Sequence, residues 1–99
     1  MVAYPCRAWV NFNNGSIRDG AGVSGITRIY TGVYRIHFSP PMPDTNYALA
    51  AIARDVNTND NNVSVAYRFN DTKTVDHVDI TVSVAGYYDS TEVNVLVIR

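Results

Sequence analysis

With 99 residues, 46% of them hydrophobic and 17% charged, the chain has the composition of one small globular domain (1–99) rather than a disordered tract. A net charge of −1 excludes the basic excess that holds a polyanion through counterion release, so no nucleic-acid partner is expected. No apolar stretch approaches the ~20 residues of a membrane helix, Met1-Val2-Ala3-Tyr4-Pro5 lacks the charged and apolar regions of a signal peptide, and the single cysteine, Cys6, excludes an intrachain disulfide.

Period-two alternation predicts a first strand over Arg7 to Phe12, with Cys6, Ala8, Val10 and Phe12 on one face and Arg7, Trp9 and Asn11 on the other. Cys6 reads as a small buried hydrophobe on the first of these faces. Asn13-Asn14-Gly15-Ser16 is a turn, and residues 17–22 are read as a small-residue connection. A second strand spans Val23 to Tyr30. Thr31-Gly32 reverses the chain, with glycine supplying a positive φ. In a third strand, Val33 to Phe38, the residues Tyr34, Ile36 and Phe38 face inward while Val33, Arg35 and His37 face away. The prolines of Ser39-Pro40-Pro41-Met42-Pro43-Asp44 remove ladder donors, which predicts a crossover between two sheets.

A fourth strand runs from Tyr47 to Arg54, and its small residues Ala48, Ala50, Ala51 and Ala53 predict close packing on both faces. Asp55 to Asn62 is a polar loop. Val63, Val65, Tyr67 and Phe69 then alternate with the outward Ser64, Ala66, Arg68 and Asn70, and 71–74 is a turn. Val78, Ile80, Val82 and Val84 face inward, opposite Asp79, Thr81 and Ser83. After the loop Gly86-Tyr87-Tyr88-Asp89-Ser90, the segment Glu92 to Ile98 closes the domain, with Val93, Val95 and Val97 opposite Asn94, Leu96 and Ile98. No helical periodicity recurs. About six to seven short strands at this spacing predict an all-β fold, an antiparallel β-sandwich.

A sandwich strand normally keeps one wet face. Trp9 opposite Val10 and Phe12, Leu96 and Ile98 opposite the valines, and the two-faced Tyr47 strand therefore imply a second surface that covers them. Trp9, Leu96 and Ile98 are the candidate oligomer-interface residues.

No pattern predicts a catalytic site, a cofactor or a metal centre. His37 and His77 read as solvated surface side chains, without a nucleophile or an orienting group beside them. Asp55-Val56-Asn57-Thr58-Asn59-Asp60 begins like a calcium loop, but Asp60 occupies the glycine position and Ala66 that of the final glutamate, so a polar turn is the better reading. The sequons at Asn14, Asn62 and Asn70 are read as coincidental. Tyr30, Asn57, Asn59, Tyr87 and Tyr88 fall in or beside turns. Tyrosine and asparagine make low-entropy contacts there with glycans or protein partners, and these five are the surface-loop binding candidates.

Across residues 4 to 50 the order Cys6-Arg7-Ala8-Trp9-Val10-Asn11-Phe12, Gly25-Ile26-Thr27-Arg28, Thr31-Gly32-Val33-Tyr34-Arg35-Ile36-His37-Phe38 and Met42-Pro43-Asp44-Thr45-Asn46-Tyr47-Ala48 resembles a domain of tailed-bacteriophage and prophage tail-fibre and other virion proteins. In that family a C-R-A-W-V-N-F opening precedes an S-S-I-T-R segment, a G-T-G-x-Y-x-x-x-F hairpin and an M-P-D-x-N-Y-A strand entry. The resemblance implies a non-enzymatic virion structural protein, made in the host bacterial cytoplasm. It implies a homotrimer displayed on the particle among other virion proteins, with a host-surface glycan as a further partner. A free-standing copy without a shaft is expected to attach through its own surface. Two alternatives stay open: a capsid decoration (cement) or head or tail accessory protein, and a free carbohydrate-binding lectin.

Overall fold

The computed structural model describes residues 6–53, 64–67, 73–83, 90 and 92–99. Among them lie eight strands and no helix: β1 (Cys6–Asn13), β2 (Ser16–Ala21), β3 (Val23–Tyr30), β4 (Val33–Phe38), β5 (Ala48–Ala53), β6 (Ser64–Tyr67), β7 (His77–Ser83) and β8 (Val93–Ile98). They form two four-stranded sheets, the first in the order β2-β1-β8-β5 and the second β3-β4-β7-β6. Every neighbouring pair is antiparallel. The all-β expectation holds, and the arrangement is consistent with a β-sandwich.

The inner strands of the two sheets supply most of the core. Ala8, Val10 and Phe12 of β1 and Val93, Val95 and Val97 of β8 pack with Tyr34, Ile36 and Phe38 of β4 and Val78, Ile80 and Val82 of β7, all buried. Phe12 and Tyr34 meet edge to face across the two sheets, with centroids 5.1 Å apart. Phe38 meets Tyr47 in the same way at 5.4 Å. Burying each such side chain contributes on the order of 1.5–3 kcal/mol, so a strand carrying three of them is held far more firmly than an edge strand carrying none. The connection 39–47 leaves the second sheet and enters the first, as its prolines predict; within it the Ser39–Pro40 peptide is cis. Its two buried residues, Met42 and Tyr47, anchor it to the core. The Tyr47 hydroxyl donates to the Thr74 carbonyl at 2.9 Å, and Lys73 Nζ donates to the Tyr47 carbonyl at 2.7 Å.

Four expectations need correction. The segment read as a connection over 17–22 is largely a strand, β2, so eight strands lie among the described residues where six to seven were expected. All six residues of β2 are exposed, which is why alternation gives no sign of it. Cys6 is exposed, not buried. The register of β1 against β8 shifts between Cys6 and Ala8, so the face that Ala8, Val10 and Phe12 share does not continue to Cys6. The fourth strand is not packed on both faces: β5 is the edge of the first sheet, with Leu49, Ala51 and Ala53 half-buried and Ala48, Ala50 and Ile52 exposed. Finally, Val33, Asp79 and Thr81 face away from the core as expected, yet all three are buried.

Candidate interaction surfaces

The outer face of the first sheet concentrates the exposed apolar side chains. Alternation along β1 and β8 turns Trp9, Leu96 and Ile98 away from the core, leaving them 40%, 45% and 39% exposed. The register makes Trp9 and Leu96 direct cross-strand partners, with Ala21 of β2 beyond Trp9 and Ala50 of β5 beyond Leu96. One apolar row therefore crosses all four strands. Cross-strand partners on one face lie close enough to form a continuous surface. Ile98 aligns with Ala48 on β5 and with Cys6 on β1.

Beside this row runs a polar one. Asn11 and Asn94 are direct partners, and Asn11 Nδ2 donates to Asn94 Oδ1. Arg18 Nη1 donates to Asn11 Oδ1 at 3.3 Å, and Asn94 Nδ2 to Glu92 Oε2 at 3.3 Å. Ile52, paired with Asn94, ends that row on β5 at 70% exposure. The sequence singled out Trp9, Leu96 and Ile98 and the structure gathers them on one face. It did not single out Ile52, whose exposure depends on β5 being an edge strand.

Of the loop candidates, Tyr30 ends β3 and is 55% exposed. Asn57, Asn59, Tyr87 and Tyr88 lie outside the described residues, as do the calcium-like segment 55–60 and the sequons at Asn62 and Asn70.

The outer face of the second sheet is polar. Arg35 of β4 and Asp79 of β7 are direct partners. The guanidinium donates to both carboxylate oxygens, Nε to Oδ1 at 2.8 Å and Nη2 to Oδ2 at 3.0 Å. This fork-to-fork geometry explains how a carboxylate with 0% exposure remains on an outward face. The next pair along the same face is His37 with His77. The sequence left these histidines as separate surface side chains. Their meeting depends on the β4–β7 register, which no local pattern encodes.

An apolar cleft of about 240 Å³, lined among the described residues by Leu49, Ala51, Val65 and Ala66, opens between the edge strands β5 and β6. At the crossover, Arg99 makes a forked pair with Asp44, Nε to Oδ1 at 2.7 Å and Nη2 to Oδ2 at 2.5 Å. The Arg99 hydrogen bond, with a second from the Asn46 backbone N–H, lowers the Asp44 carboxyl to about 2. The same pair raises the Arg99 guanidinium above its ordinary value.

Among the described residues, no group of three or more histidine, cysteine, aspartate or glutamate side chains converges as a metal cluster, and no helix is long and apolar enough to cross a membrane. No family model matches the chain, and comparison with curated proteins and with solved structures returned no match.

Proposed function

We propose that this chain is a non-enzymatic structural protein of a tailed-phage particle, assembled as a homo-oligomer through the outer face of its first sheet. The observation that carries the assembly is the exposed row of Trp9 and Leu96, with Ile98 and Ile52 on the same face. Large apolar side chains gathered on one face and bordered by a hydrogen-bonded amide row have the make-up of an interface, apolar at its centre and polar at its rim. A face repeated in each copy suits rotational symmetry. The trimer and the virion setting rest on the resemblance of residues 4–50 to tail-fibre-type domains. The capsid decoration and accessory readings use the same face and differ only in where on the particle the oligomer sits.

Light scattering on a size-exclusion column tests the assembly. A mass three times the 10.9 kDa of the chain is expected, falling to a single chain in Trp9→Ala. A wild-type protein that stays monomeric at all concentrations overturns it. Mass spectrometry of purified phage particles tests the setting: stoichiometric presence is expected. Absence from particles combined with saturable sugar binding would replace this reading with the free lectin.

A further inference from the structure

The sheet brings His37 and His77 together in a way that favours a shared ligand. The hydrogen bonds from Phe38 N to Asp76 O (2.8 Å) and from Val82 N to Gly32 O (2.7 Å) fix which β4–β7 pairs exchange backbone bonds. Counting along the register from either bond, His37 and His77 fall at a non-hydrogen-bonded position. Cα atoms approach to about 4.5 Å at such positions, and side chains are closest there. Both rings are half-buried, with centroids 6.3 Å apart and planes inclined at 56°.

Each ring has a threonine hydroxyl beside one of its nitrogens, close at His37 and longer at His77, where the Thr74 hydroxyl also donates to the His77 carbonyl and accepts from the Asp76 and His77 N–H groups. His37 Nε2 lies 2.8 Å from Thr27 Oγ1, and His77 Nδ1 lies 3.3 Å from Thr74 Oγ1. Holding one ring nitrogen is how proteins orient the other toward a metal. That leaves His37 Nδ1 and His77 Nε2 as the ligating atoms. An ion about 2.0–2.1 Å from one nitrogen of each ring holds the centroids roughly 5.2 Å apart at a tetrahedral angle and roughly 6.4 Å apart in a trans pair, so the observed 6.3 Å suits the trans positions of a square-planar or tetragonal ion and would have to shorten for tetrahedral Zn²⁺. There is also room beside the pair: Gly25 is the partner of His37 on β3, and a Cβ placed on it would meet nothing within 4 Å. The neighbouring carboxylate, Asp79, is committed to Arg35, so water would complete the coordination.

We propose that His37 and His77 form a two-histidine chelating site for a divalent transition-metal ion of the Cu²⁺, Ni²⁺ and Zn²⁺ class. Imidazole nitrogen suits these ions, whereas Mg²⁺ and Ca²⁺ take oxygen ligands.

The test is calorimetric titration of tag-free, chelator-treated protein with Ni²⁺ and with Zn²⁺, beside thermal melts in each ion. One ion per chain is expected, with the melting temperature raised by several degrees at saturation. Mg²⁺ should have no effect. His37→Gln and His77→Gln should each weaken binding at least about tenfold. Should either variant melt early in chelator, the wild-type protein still decides: added Zn²⁺ should shift the ring resonances of both histidines together. The site is overturned by absence of saturable binding up to about 1 mM ion, by affinity unchanged in either variant, or by one ion per two chains.

Discussion

Asp79 shows how a single side chain can be placed correctly by alternation and still be misjudged. Its position in β7 sends it to the outer face, as the pattern of Val78, Ile80 and Val82 requires. Its complete burial is compatible with charge because of Arg35, a residue 44 positions away that arrives by sheet pairing. Removing one partner of such a pair leaves a desolvated charge. Arg35→Gln is therefore expected to lower unfolding stability by about 3 kcal/mol, read from the denaturant midpoint. A surface ion pair would cost well under 1 kcal/mol, so the size of the loss separates the two cases. The Asp44–Arg99 pair makes a prediction in pH. The folded-state Asp44 value, about 2, lies below the ordinary 3.8, so its contribution to stability is present above the ordinary value and is lost as pH falls through the folded one. The melting temperature of the wild type should exceed that of Asp44→Asn by a constant margin above about pH 5, and the margin should close between roughly pH 4 and pH 2. A margin that does not change over this range would show that the forked pair contributes through packing alone.

At the scale of elements, the strands that the sequence marks most plainly are those that bury an alternating apolar face, although β3 and β5, which bury none of their residues fully, are predicted as well. β1, β4, β7 and β8 are each legible because one face is filled by valine, isoleucine or aromatic side chains. β2 has no such face. Its signature lies in the preceding turn, where Asn14 (φ 47°) and Gly15 (φ 94°) take the two positive φ values of a tight hairpin, but the segment after that turn is read from the sequence as a connection. An Asn-Gly turn after a strand predicts a returning strand, and that signal was present in Asn13-Asn14-Gly15-Ser16. Where β2 gives way to β3, Gly22 has φ +73°, and a Cβ on it would lie 2.6 Å from the Arg7 carbonyl oxygen and 3.1 Å from the Ala8 Cα. Both obstacles are backbone and cannot swing aside. Gly22→Ala is expected to cost about 2–4 kcal/mol. Gly25→Ala meets nothing within 4 Å and is expected to be neutral or to stabilise by up to about 1 kcal/mol. Parallel thermal melts of the two variants provide the comparison, and equal losses would show that the close approach at Gly22 is not what constrains it.

For the molecule as a whole, the two-layer plan and the crossover at 39–44 were legible because they follow from strand alternation and from proline chemistry. The apolar outer face was partly legible. Trp9, Leu96 and Ile98 announced themselves by lying opposite core residues, while Ile52 needed the sheet order to show that β5 is an edge. The His37–His77 and Arg35–Asp79 pairs were not legible, because pairing register between distant strands leaves no trace in local pattern. The exposed face also separates assembly from folding. Leu96 is 45% exposed and contributes little to the core, so Leu96→Arg should retain the β-sheet circular dichroism and most of the thermal stability. It should run as a single chain on a sizing column where the wild type runs as an oligomer. Phe12, fully buried, supplies the contrast: Phe12→Ala should cost about 3–5 kcal/mol. Loss of the fold in Leu96→Arg would mean that the outer face belongs to the fold itself.

The first sheet is ordered β2-β1-β8-β5, so its central position between β1 and β5 is taken by the last strand in chain order. In order of emergence, the second sheet receives the last of its described strands, β7, before β8 arrives to complete the first. Among the described strands, β1 then has only β2 beside it and β5 has no partner. Until Val93–Ile98 leaves the ribosome, the two face a gap lined with unpaired backbone groups. In newly released copies, that gap in one chain matches the same segment of another. Strand exchange between copies is thus a hazard inherent in this order of strands, and it is greatest where many copies are made at once.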